Sequence, residues 1–325
     1  MWKRISSVVI PTIVAAVLIW LILARVWDDL AAASEHIVPA WILFAAVLYA
    51  VFWFVRGFRY KEILQSLGTN VSIVFSAACI YLSQTANILL PARLGDLTRM
   101  LILKHERQTP FTNSLTSLIA ERVYDIIIIA LLGLCTLPFI ISLIPTEYEW
   151  FIWLIVLVLI CGALGVLFLF LTRRLHAENK ILAKVLEIFA QFRAVSASIQ
   201  SLGILSLTSA VIWAGDILVC WIVACMFGVE ISFMLVVLAV VIGNLVKAVP
   251  ITPGGIGTYE LALVVVFQIG GVPAATATLI AVIDHLIKNG VTLLGGVMSL
   301  YGFGSWAVSL LKRLAREDRK NLEEE

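Results

Sequence analysis

Two apolar stretches each carry a small set of ionisable residues at their centre. "SLIAERVYDIIII" (117–129) holds Glu121, Arg122 and Asp125, and "IAVIDHLIKNG" (280–290) holds Asp284, His285 and Lys288. Placing such a group inside a spanning helix costs about 2.5–3.5 kcal/mol on insertion scales, so these groups line a polar cavity or pair with one another. Glu121 and Asp125 stand four apart and share a helix face, with Arg122 three before Asp125; Asp284 and Lys288 share a face in the same way. A structural role competes with the cavity role: Asp284–Lys288 is also a self-neutralising pair, and Glu121 could snorkel to an interface. Asp216 in "WAGDILV" and Lys247 in "GNLVKAV" are lone ionisable residues with the same two readings open.

Two breaks accompany the charged stretches. "PITPGGIGTYE" (250–260) and "PARLGD" (91–96) interrupt apolar runs with prolines and glycines that no continuous helix tolerates. A helix that starts inside the membrane presents unpaired N–H groups and a positive dipole end, which suit an anion. Gly254, Gly255 and Gly257 would let a ligand approach the backbone, and Arg93 would add a bidentate phosphate partner. The competing reading of the glycines is close helix packing. "GGIG" lacks the preceding strand and ribose-binding acid of a dinucleotide site. The five cysteines form no CxxC pair, the four histidines are scattered, and no nucleophile stands beside a base. No cofactor or metal is expected, and the chain is not expected to be an enzyme.

The elements that must position these groups are membrane helices. The 325 residues are 62% hydrophobic and 14% charged, and their mean hydropathy is +1.04, far from a soluble composition. A net charge of +2 gives no reason to expect nucleic acid. Apolar stretches of spanning length lie at about 5–24, 38–55, 114–144, 150–171 and 202–227, with a last one over 274–310. The regions 71–104 and 231–270 are apolar but interrupted, and 180–200 is helically patterned yet too polar to span, as an interfacial helix would be. The N-terminal stretch reads as an uncleaved first span.

Basic residues cluster at Lys3 and Arg4, at Arg56, Arg59 and Lys61, at Arg173, Arg174 and Lys180, and in the tail 311–325. The positive-inside rule places all four clusters in the cytoplasm if 71–104 and 231–270 are re-entrant hairpins dipping in from opposite sides. The expected fold is therefore an all-α polytopic membrane protein with about six full crossings, two oppositely oriented re-entrant hairpins and both termini cytoplasmic. It forms one integral membrane domain of the cell membrane, with a homo-oligomer compatible. Eight ordinary spans fit hydropathy equally well.

The two interrupted regions also match each other. Pro91 to Gly95 spans the same distance as Pro250 to Gly254, and Glu121, Arg122 and Asp125 follow Pro110 at the intervals by which Asp284, His285 and Lys288 follow Pro273. This reads as an inverted-topology repeat, repeat A about 71–144 and repeat B about 231–310, a common transporter plan.

Taken together, "LPARLGDLTRMLILK", "SLIAERVYDIIIIALLGL", "PITPGGIGTYELAL" and "GVPAATATLIAVIDHLIKNGVTLLGG" resemble the lysylphosphatidylglycerol synthase transmembrane family over roughly residues 10–305. The resemblance implies movement of an anionic phospholipid or a polyprenyl-phosphate-linked lipid between leaflets, by alternating access around a charged midplane cavity. It implies site roles for Arg93, Gly95 and Asp96, for Glu121, Arg122 and Asp125, and for Gly254, Gly255, Gly257 and Glu260. Asp96 stands where the family usually has Glu, and Asp284–His285 departs from its aromatic–Arg pair. With 325 residues there is no room for the soluble aminoacyl-transferase domain of the fused relatives, so synthase activity is not expected. The alternatives are a membrane enzyme acting on lipid phosphates and a non-transporting scaffold or regulator.

Overall fold

A computed structural model describes residues 37–90, 94–140, 180–249, 251–304 and 306–310, with a few isolated positions elsewhere. The expected spans at 5–24 and 150–171, the tail 311–325, Arg93 and Pro250 lie outside the described residues. Two runs of helices follow one another: α1 (Pro39–Ser66), α2 (Ile73–Leu89), α3 (Gly95–Arg107) and α4 (Phe111–Ile140), then α5 (Lys180–Val195), then α6 (Ile199–Met226), α7 (Phe233–Ala248), α8 (Thr258–Ile269) and α9 (Ala274–Phe303).

The boundaries have local causes. Ser72 caps α2 by accepting the Phe75 N–H, and Ser198 caps α6 by accepting that of Ser201. Pro39 opens α1 at a position where its missing N–H costs nothing. Gly304, at φ 75°, closes α9 in the left-handed region that glycine adopts freely.

Among the described residues three helices, α1, α6 and α9, are long and apolar enough to cross a membrane. The chain is thus a multi-pass membrane protein, as its composition demands. α4 carries Glu121, Arg122 and Asp125 within five residues and a proline, Pro138, further along. The interrupted regions fold as two short helices apiece. At 1.5 Å per residue α2 and α3 reach about 25 and 20 Å, and α7 and α8 about 24 and 18 Å, each short of a hydrocarbon core about 30 Å thick.

Packing brings the two runs together. α1 lies along α6, α2 packs on both α1 and α9, and α7 on α8 and α4. One apolar core runs through α1, α2, α6, α7, α8 and α9. The first three lengths of each run correspond: 28, 17 and 13 residues for α1–α3, and 28, 16 and 12 for α6–α8.

Two expectations need correction. The loop holding Arg56, Arg59 and Lys61 is instead the last three turns of α1, which continues to Ser66 because nothing before Gly68 breaks it. Arg59 is 1% exposed, inside the protein. The helix expected over 180–200 stops at Val195, and Ser198 starts α6 afresh.

Candidate functional site

Each break ends a short helix and starts another. After α7 the chain turns through Pro253–Gly255 in a single 3-10 turn, where Gly254 and Gly255 have φ 63° and 78° and Gly257 has φ 84°. These left-handed values explain three glycines in four residues, since a side chain there is strained. The turn rests against the end of α2, where a Cβ on Gly254 would meet the Ile88 backbone at 3.5 Å. The second interruption therefore sits on the C-terminal end of α2.

Around that meeting point lies a cavity of about 580 Å³, within the usual range for small-molecule sites. Of the residues singled out from the sequence, Arg122, Asp125, Gly254, Gly255 and Lys288 line it, joined by Asp216 and Lys247. The lining thus carries four cations (Arg56, Arg122, Lys247, Lys288) and two carboxylates (Asp125, Asp216).

Behind the wall on the α4 side sits a network of buried ion pairs. Arg59 bonds Asp125 at 2.5 Å and Glu121 at 3.0 Å, while Arg99 bonds the other Glu121 oxygen at 2.6 Å. Ser209 accepts a further Arg59 bond at 2.8 Å, and the Trp213 indole donates to Asp125 at 3.2 Å. Two acids and two arginines thus neutralise one another, which is what makes their burial affordable in a low dielectric. Asp216 is likewise paired, with Arg56 at 3.0 Å. Arg122 stands apart: it is 38% exposed, and Asp96 lies 3.8 Å away.

On the α9 side, Lys288 and the Tyr259 hydroxyl both bond the Asp284 carboxylate, at 2.9 and 2.8 Å. Lys247 Nζ lies 3.2 Å from His285 Nε2, and His285 Nδ1 lies 2.7 Å from Glu260. A protonated Lys247 can only donate, so Nε2 accepts and Nδ1 carries the proton toward Glu260. The second Glu260 oxygen accepts the Gly257 N–H at 2.7 Å.

That last bond alters one expectation. The start of α8 was expected to offer its N–H groups to a ligand anion; here Glu260, from the first turn of the same helix, takes one of them, the Gly257 N–H. Gly95 also serves packing, because a Cβ there would run into the Ser83 carbonyl and the Asn87 amide of α2. Glu121, Asp284 and His285 stand behind the lining, and Asp96 bonds Ser83 and Asn87, both at 3.3 Å.

Sequence reasoning missed Arg59, Arg99 and Tyr259 as partners of the charged helices, and the Arg56–Asp216 pair. A signal existed for the first of these: Arg56 and Arg59 stand three apart with no helix breaker before Gly68. Among the described residues no group of three or more His, Cys, Asp or Glu is arranged to hold a metal ion.

The arrangement is a polar chamber beside the contact of the Pro253–Gly255 turn with α2. The chain is 33% identical over 303 residues to glycosyltransferase AglD of Haloferax volcanii, covering 81% of this chain and 49% of that protein, so it spans about half the length of that relative. It is 24% identical over 331 residues to a UPF0104 membrane protein of Pyrococcus horikoshii, covering 92% of this chain and 97% of that one. A UPF0104 membrane protein of Methanocaldococcus jannaschii is 26% identical over 216 residues, 65% of this chain and 92% of its own. The family described as "lysylphosphatidylglycerol synthase TM region" matches residues 8–296. The family's description and the name of AglD both refer to enzymes, which lends nothing to the expectation that this chain is not one. With its membrane helices, its paired breaks and this match over most of its length, the chain belongs to the lysylphosphatidylglycerol synthase transmembrane-region family.

Proposed function

We propose that this protein moves a phosphate-bearing lipid, a phospholipid or a polyprenyl-phosphate-linked molecule, between the leaflets of the cell membrane. The observation that carries the reading is the contact of the Pro253–Gly255 turn with the end of α2 beside a cavity lined by four cations. Helices too short to cross would dip in from opposite sides and meet at mid-depth, as the inverted repeats of transporters do. The matched lengths of α1–α3 and α6–α8 support such a repeat, and the reading keeps both termini cytoplasmic. Opening one hairpin while the other stays closed would expose the chamber to one leaflet at a time. The exposed apolar side chains of α9, including Leu286, Leu294 and Met298, leave acyl or isoprenoid chains a greasy path outside the chamber.

Reconstituted into vesicles, the protein should speed the transbilayer movement of labelled phosphatidylglycerol or polyprenyl phosphate, and Arg122→Ala should abolish the acceleration. No acceleration for any phosphate-bearing lipid would end this reading. A second reading, an enzyme acting on a lipid phosphate, is favoured by the names of its relatives. Conversion of such a lipid by the purified protein would establish it.

A further inference from the structure

The cavity wall holds an unusual number of carboxamides. Gln84 and Asn87 come from α2, Asn244 from α7 and Asn289 from α9, so four amides from three helices border one chamber. Their hydrogen-bonding capacity is largely unused by the protein. Among the described residues the side chains of Gln84 and Asn289 make no hydrogen bond. Asn87 and Asn244 engage only their NH₂ groups, which donate to Asp96 at 3.3 Å and to the Val240 carbonyl at 2.8 Å.

The ionic groups narrow the ligand further. An aminoacylated head group brings an ammonium, a donor that needs acceptors, best a carboxylate. Both lining carboxylates are committed: Asp125 to Arg59 and Trp213, and Asp216 to Arg56. For a phosphate the wall offers Arg122, whose carboxylate neighbour is 3.8 Å away, and Lys247, which also keeps its His285 contact, together with amides that both donate and accept. A hydroxyl likewise donates and accepts, and a ring of hydroxyls is the chemistry that several amides match at once.

We propose that the head group held here is a glycosyl phosphate, with the sugar hydroxyls on Gln84, Asn87, Asn244 and Asn289 and the phosphate on Arg122 and Lys247. This rests on the lipid-moving reading above and names its substrate class.

The test is competitive binding, read by native mass spectrometry on the full chain in phosphatidylcholine nanodiscs. The probes are the hexose phosphodiester of farnesol, its methyl phosphodiester of equal charge, and lysyl-phosphatidylglycerol. The hexose diester should bind at least about tenfold more tightly than the methyl diester, the return on one or two net neutral hydrogen bonds, and more tightly than lysyl-phosphatidylglycerol. Replacing Gln84→Leu and Asn289→Leu together should cut that preference to about twofold. The comparison on the unaltered protein stands even if the double variant does not fold. Equal binding of the hexose and methyl diesters, or tighter binding of lysyl-phosphatidylglycerol, overturns the sugar assignment while leaving lipid movement intact. Binding of none of the three overturns both.

Discussion

Arg56 and Asp216 meet at 3.0 Å, and each stands 17 residues beyond the first residue of its own 28-residue helix. The separation of 160 that relates them also relates Trp53 to Trp213, Gly68 to Gly228, Ser72 to Ser232 and Gln84 to Asn244. After the breaks the separation becomes 163, pairing Glu121 with Asp284, Arg122 with His285 and Asp125 with Lys288. Two positions at this separation thus touch where α1 lies along α6, with an ion pair across the contact.

If that pair holds α1 against α6, removing one partner leaves a mostly buried, unpaired charge at the wall of the chamber. Arg56→Ala or Asp216→Ala should each lower stability by about 3 kcal/mol, read as thermal unfolding in detergent. The double variant should lose clearly less than the sum of the two, the signature of direct coupling.

Gly95 sits where α3 begins against α2, and a Cβ there meets backbone rather than a flexible side chain. Gly95→Ala should cost about 1–3 kcal/mol from overpacking and lower the unfolding temperature. Gly203→Ala, in a helix with open space around it, should be neutral or raise it.

Much of this was legible in the sequence. The charged triads, the two breaks and the short hairpin helices follow from spacing, proline and glycine. The partners of the charges were not legible. Arg59 and Arg99 lie 62 and 22 residues from Glu121, and loop-charge bookkeeping assigned Arg59 to a cytoplasmic segment because it counts basic residues without knowing which are buried. Gly95 and Gly257 read as ligand contacts for a related reason. A glycine that lets a backbone approach a ligand and one that lets it approach another helix look the same in one dimension.

Arg122 separates function from folding. It lines the cavity, is partly exposed, and has its carboxylate neighbour at 3.8 Å, so Arg122→Ala should change stability by less than about 1 kcal/mol. Transport of a phosphate-bearing lipid by the same variant should fall at least tenfold, about 1.4 kcal/mol of lost interaction or more. Measuring both on one preparation distinguishes a binding cation from a structural one.

The hairpin topology predicts which loops share a side. In a background lacking the native cysteines, Asn70→Cys and Glu106→Cys should react with an impermeant maleimide from one face of the membrane. Glu230→Cys and Gln268→Cys should react from the other. All four positions are exposed. If α2 crossed completely and α3 lay beyond it, Asn70 and Glu106 would label from opposite faces.

The central claim is that head groups pass through the chamber where the second break meets the end of α2, and tying the two together tests it directly. A Cβ at position 254 lies 3.5 Å from the Ile88 Cα, within reach of a disulfide. With Ile88→Cys and Gly254→Cys in the cysteine-free background, oxidation should drop movement of labelled lipid to the rate of protein-free vesicles, and reductant should restore it. Cross-linked protein that moves lipid as fast as its reduced form would contradict the account.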